Sequence, residues 1–279
     1  MKIKIVSDSS SNVRALEGVP YATVPLKVIT ADQEYVDDAA LDVAAMVQDL
    51  KTVKGRTQTS CPNSYEWEQA FSDADAVFAV TITSGLSGSY STAMQAKATV
   101  QAEHPEKPIA VVDSLSTGPE MALLIERMQA GIRAEKSFDE IEADVRAYAK
   151  HTHLLFALES MKNLARNGRV KPLVAKLAGV LDIRIVGVAS EQGTLELLHK
   201  TRGFKKMMDT FYAEMKARGY QGGKVRIAHC MNERAAETLK AAILGEFPGA
   251  DVTVVPTTAL CSYYAEEGGI LVGFEDTAE

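Results

Sequence analysis

Cysteine, histidine and tryptophan are scarce in this chain: three, five and one residues among 279. Cys61, Cys230 and Cys261 lie far apart, are odd in number and form no CxxC or Cys/His spacing, which excludes a disulfide framework and a zinc ribbon. They read as reduced thiols. Cys261 has no base beside it and reads as a small buried residue rather than a nucleophile. The tightest histidine pair, His151 and His153, has no carboxylate or cysteine within a turn, so it reads as structural and no metal is expected. Positive charge is also in deficit: 30 Lys and Arg against 37 Asp and Glu give a formal net charge of -7. That balance disfavours nucleic acid and anionic membrane surfaces as partners. No apolar run is long enough to span a bilayer, and Met1-Lys2-Ile3-Lys4 leads straight into a strand with no signal-peptide pattern. The expectation is a cytoplasmic protein without stable membrane insertion. The glycines fit neither GxxxxGK[ST] nor GxGxxG, so a nucleotide cofactor is not expected.

What is present is an ordinary globular composition, 46% hydrophobic and 24% charged, over a length that suits two medium α/β domains. Ile3 to Val6, Ala76 to Ile82 and Ile109 to Val112 are short apolar runs, each ending in hydroxyls or Asp-Ser and each followed by a helical pattern. The helical periodicity falls on Leu41 to Leu50, Ser64 to Phe71, Ser89 to Val100, Glu120 to Met128 and Phe138 to Ala149. This alternation predicts a parallel sheet with crossover helices, in which ligands sit beyond the carboxyl ends of the strands. Asp8 to Ser11, Thr83-Ser84 and Asp113-Ser114 should therefore converge on one edge. Beyond His153 the rhythm changes to strands at Leu154 to Leu158, Leu181 to Ala189 and Thr194 to His199, the last two joined by the hairpin-like turn Ser190-Glu191-Gln192-Gly193. Helices at Phe204 to Ala217 and Ala235 to Leu244 and strands at Val225 to His229, Val252 to Val255 and Gly269 to Phe274 follow. The expected division is an N-terminal parallel-sheet α/β domain over residues 1–152 and a C-terminal mixed or antiparallel α+β domain over 153–279.

Val80 to Ala93 crowds small hydroxyl residues and two glycines between a strand and a helix expected to begin near Ser87. Unpaired N–H groups and the helix dipole at such a junction favour an anion. The hydroxyls of Ser84, Ser87 and Ser89 add possible donors. Asp8 to Ser11 reads first as an N-cap and turn, and Thr57 to Ser64 as a cap or a ligand contact ahead of a helix started by Pro62. Arg169 follows Asn167-Gly168, a pair suited to a left-handed turn that can aim a guanidinium. Lys200, Arg202, Lys205 and Lys206 form a basic group at a helix start, and Tyr263 to Gly269 reads as a helix end with its cap. Gly85-Leu86-Ser87-Gly88 lacks the GxSxG spacing. A serine esterase or lipid hydrolase would need His229 as the base for Ser87 and a carboxylate that has no obvious candidate.

These segments, in this order, resemble the DegV family of bacterial fatty-acid-binding proteins. Ile5-Val6-Ser7-Asp8-Ser9-Ser10 is similar to its first strand and loop, Val24-Pro25-Leu26-Lys27-Val28 to its second strand, and Thr57 to Pro62 to its Thr-Ser-x-Pro segment. Thr83 to Ala93 is similar to its signature, Val112-Asp113-Ser114 to its next strand end, and Leu164 to Val170 to its Leu-x-x-x-Gly-Arg-Ile element. The resemblance implies a binding protein, not an enzyme. It implies a long-chain fatty acid in a tunnel between two domains, with its carboxylate held by hydroxyls and backbone N–H groups and presented to a separate fatty-acid kinase for phospholipid synthesis. Carried over by position, the contacts are Thr59, Ser60, Ser87 and Gly88, with Arg169 nearby. Many members carry His-x-Gly-Pro-Gly before the last strand. Here that stretch is Tyr264-Ala265-Glu266-Glu267-Gly268, which puts a phenol where the family has an imidazole.

Overall fold

The chain opens with β1 (Ile3–Asp8), β2 (Tyr21–Val24), β3 (Lys27–Ile29) and β4 (Glu34–Val36), then α1 (Val43–Thr52), β5 (Gln58–Ser60) and α2 (Ser64–Phe71). β6 (Ala76–Thr81), α3 (Ser89–Glu103), β7 (Ile109–Asp113), α4 (Pro119–Arg133) and α5 (Phe138–Tyr148) follow. The computed structural model describes residues 1–175 and 182–276. The apolar runs become an all-parallel sheet of order β2-β1-β6-β7. Every residue of β6 is buried, as expected for a parallel strand covered on both faces. One face packs on α4 and α5, and the other receives Trp67 and Phe71 of α2 and Ala93 and Ala96 of α3. Capping boxes start α2 (Asn63 with Glu66) and α5 (Ser137 with Glu140), so both begin where the sequence places them.

The second part runs β8 (Thr152–Leu158), α6 (Lys162–Arg166), α7 (Pro172–Ala175), β9 (Ile183–Ala189), β10 (Leu195–Arg202) and α8 (Phe204–Ala217). It ends with β11 (Val225–His229), α9 (Glu233–Glu246), β12 (Val252–Pro256), α10 (Ala259–Ala265) and β13 (Ile270–Glu275). These strands form one mixed sheet, β10-β9-β8-β13-β11-β12, antiparallel except for β11 with β12. Residues alternate across β8. Leu155 and Ala157 pack with α8 and α9, whereas Leu154, Phe156 and Leu158 face the other way, toward the first half of the chain. α4 lies against β6 on one side and against β8, β11 and β13 on the other, and so joins the two sheets.

Several expectations change. Val24 to Val28 is not one strand: Pro25, which has no N–H to give a ladder, separates β2 from β3, and the two join different sheets. β3 pairs antiparallel with β4 and β5 in a small sheet that was not foreseen. α3 begins at Ser89 rather than near Ser87. Lys200 and Arg202 belong to β10, so only Lys205 and Lys206 lie at the start of α8. The strand expected from Leu181 begins at Ile183, and Leu181 itself lies outside the described residues.

Candidate binding cavity

The end of β1 is tied to the loop between β6 and α3 by Asp8, which is fully buried. Its Oδ1 accepts from the Ser10 amide (3.2 Å) and hydroxyl (2.5 Å), and its Oδ2 from the Ile82 amide (2.8 Å) and the Ser89 hydroxyl (2.7 Å). Burial pushes this carboxyl above its usual range, and the four donors offset that only in part. Asp8 thus caps its own turn, as expected, and also holds the next loop. Ser89 is spent on Asp8 and Ser84 is exposed, which leaves Ser87 as the hydroxyl of that loop facing inward.

Thr83 shapes the loop. Its carbonyl accepts from the Leu86 and Ser87 amides (3.3 and 3.2 Å), and its hydroxyl accepts from the Gly85 amide (3.1 Å) while donating to the Gly193 carbonyl (2.7 Å). The β9–β10 turn is therefore seated on the loop that carries Ser87 and Gly88. The Ser87 hydroxyl oxygen accepts from the Ser89 amide at 3.3 Å, so its proton is available to an acceptor in the cavity.

That cavity has a volume of about 330 Å³, the scale of a small-molecule site. Thr59, Ser60, Ser87, Gly88, Arg169 and Tyr264 all line it. Three of them adjoin: the Thr59 hydroxyl and the Tyr264 phenol are 2.7 Å apart, and the Arg169 guanidinium lies 5.9 Å from the Tyr264 ring centre. Arg169 donates to the carbonyls of Leu86 (3.3 Å) and Asn167 (2.5 Å). It forms no ion pair with a carboxylate among the described residues. Burial pushes the Tyr264 phenol up, so it stays neutral and able to donate at physiological pH. The rest of the lining is mostly apolar, and one wall comes from the mixed sheet: Leu154, Phe156 and Leu158 of β8, Leu271 of β13 and Leu195 of β10. Cys261 lines it too, with its thiol on the Ser10 carbonyl (3.3 Å) and pushed up to about 12 by burial. A thiol so placed is inert.

Sequence reasoning missed the sheet wall and Asp37. The Asp37 carboxylate, buried to 0% exposure, accepts from the Ala259 and Leu260 amides (3.0 Å each) and from Thr258 and Arg14 (3.2 and 2.9 Å). It thereby fixes α10, which carries Tyr264. Ser87 and His229 line different cavities, and His229 Nδ1 accepts from the Asn232 amide (3.2 Å), so the hydrolase arrangement is not favoured. His151 and His153 meet a carboxylate distant in sequence, each 3.0 Å from Asp276. No group of three metal-capable side chains occurs among the described residues. No helix among them is long and apolar enough to cross a membrane.

The family model described as "Uncharacterised protein, DegV family" matches residues 2–276. A DegV domain-containing protein of Streptococcus pneumoniae is 42% identical, with 99% of each chain covered. Among solved structures, a DegV family protein from Eubacterium eligens loaded with heptadecanoic acid superposes with a TM-score of 0.96 at 42% identity, covering 99% of this chain and 100% of that one. The Streptococcus pneumoniae Fatty Acid Kinase B3 protein loaded with linoleic acid superposes with a TM-score of 0.97 at 41% identity and the same coverage.

Proposed function

The chain belongs to the DegV family, and from that premise and the cavity's chemistry we propose that it binds a long-chain fatty acid and presents it to a separate fatty-acid kinase. The observation that carries this reading is Arg169: a cation without a carboxylate partner among the described residues, beside hydroxyl donors at a cavity otherwise lined mostly by apolar side chains. A carboxylate with an alkyl tail is the ligand that satisfies both parts. Thr59, Ser60, Ser87, Gly88 and Tyr264 supply neutral donors and Arg169 the charge, while each buried methylene of the tail contributes ~0.8 kcal/mol. The tail supplies affinity and the donors supply orientation.

The protein itself performs no bond-making step in this reading, since Ser87 has no base in its cavity. The B3 protein of Fatty Acid Kinase, similar over nearly the whole length, supports a kinase as the partner. Residues 1–152 and 153–279 are read as two domains with the ligand between them, and the protein as cytoplasmic, where acid and kinase meet.

Native mass spectrometry of the purified protein, followed by extraction, tests the ligand. A co-purifying fatty acid is expected, or stoichiometric uptake of added oleate. A lipid-free protein that takes up neither oleate nor palmitate would overturn the reading.

A further inference from the structure

Side chains on a strand normally stand perpendicular to the sheet. Phe156 does not. Its cross-strand partner on β9 is Gly187 and on β13 is Leu271, and a Cβ placed on Gly187 would lie 2.3 Å from Phe156 Cζ and 2.6 Å from Cε2. The ring therefore lies sideways over β9, in the space that a side chain at 187 would occupy. Gly187 does not have the left-handed φ that would call for glycine. It sits in the middle of β9, where glycine weakens a strand, and the reclining ring is what occupies the vacated place.

Phe156, Leu154, Leu158 and Leu271 line the cavity from this sheet. A Phe156 ring standing upright would project into the space these residues enclose. We propose that the Phe156–Gly187 pair sets the width of the tail cavity and so selects among acyl chains of equal length by their cross-section. The inference rests on the fatty-acid reading above. Straight saturated chains need little width, whereas chains with several cis double bonds need room at each bend.

The test uses two C18 acids, stearate and linoleate, so that chain length is constant. Dissociation constants are measured for the full-length protein, Phe156→Leu and Gly187→Ala, each first stripped of lipid. Phe156→Leu removes ring atoms from the wall, and the ratio of linoleate to stearate affinity is expected to rise roughly tenfold, the effect of a small volume change in an apolar pocket. Gly187→Ala drives the ring upright and should lower that ratio. The Glu196 carbonyl lies 2.5 Å from the added methyl, so if this variant fails to fold, Phe156→Leu decides alone. A ratio within twofold of the unmodified protein, with both acids still bound, overturns the inference and leaves the carrier reading standing. Failure of the unmodified protein to bind either acid overturns the carrier reading itself. A merely destabilised variant would weaken both acids together and leave the ratio unmoved, which also counts against the inference.

Discussion

In the proposed head-group site, Ser87 and Tyr264 divide the work of holding an anion without a base. Replacing Ser87 with Ala removes one donor to a charged acceptor and is expected to weaken fatty-acid binding by about 1 to 3 kcal/mol; titration with a fluorescent fatty acid checks it, and unchanged affinity takes Ser87 out of the head-group set. Tyr264 offers a different test, because its phenol is pushed up by burial, bonds to Thr59 and lies beside Arg169. Substituting His brings a group that titrates near neutrality. Its charged form favours a carboxylate, so the affinity of Tyr264→His relative to the unmodified protein should rise as pH falls from 8 to 6. Calorimetric titration at the two pH values reads the difference, and a constant ratio would separate residue 264 from the carboxylate. The hydroxyl-rich loop that carries Ser87 was legible in the sequence, because serine, threonine and glycine crowd the junction between β6 and α3. The wall was not, since Leu154, Phe156 and Leu158 alternate like any core strand and nothing local marks a face that borders a cavity.

The element that places Tyr264 is α10, seven residues long and too short to hold itself in water. Its first N–H groups are taken by Asp37, whose other partners are Thr258 and the half-exposed Arg14. Asp37→Ala leaves these donors unmatched in a buried place, and a loss of about 3 to 5 kcal/mol in stability is expected. Calorimetry should find a lowered Tm together with weaker fatty-acid binding, and an unchanged Tm would mean that α10 is held by packing alone. The starts of the capped helices α2 and α5 were legible to the residue because Asn63, Glu66, Ser137 and Glu140 carry their start signals locally. The β3–β4–β5 sheet was not, since each of its strands has three residues, fewer than an alternating pattern needs. Asp37 is illegible for a related reason: the partners it holds at the start of α10 lie more than two hundred positions away in the chain.

The two sheets meet along α4, whose first turn packs tightly on β13. A Cβ on Gly273 of β13 would lie 2.5 Å from the Glu120 amide, so the helix start rests directly on the second sheet. Glu120 is turned into this seam, where it accepts from the Thr152 hydroxyl at the head of β8 (2.8 Å). Farther along α4, Glu126 pairs with Arg226 of β11 (2.6 Å). Arg226 binds a second carboxylate, Asp251 (2.8 Å); burial works against its charge, but hydrogen bonds to both carboxylates outweigh that and the guanidinium keeps its charge. Glu120 does not, because burial raises its carboxyl from 4.5 to about 7. The folded protein thus holds this proton to higher pH than the unfolded chain. The stability linked to it is fully present below about 4.5 and is lost as pH rises through about 7. The loss by pH 8 is on the order of 3 kcal/mol. Glu120→Gln keeps the shape and an acceptor for Thr152 but cannot ionise. The variant should therefore be more stable than the parent at pH 8, and the gap should close toward pH 5. Denaturant unfolding across that range measures it, with the second sheet and the first expected to unfold together because the seam is shared. A gap that is the same at both ends of the range would mean that Glu120 ionises no more easily in the unfolded chain than in the seam.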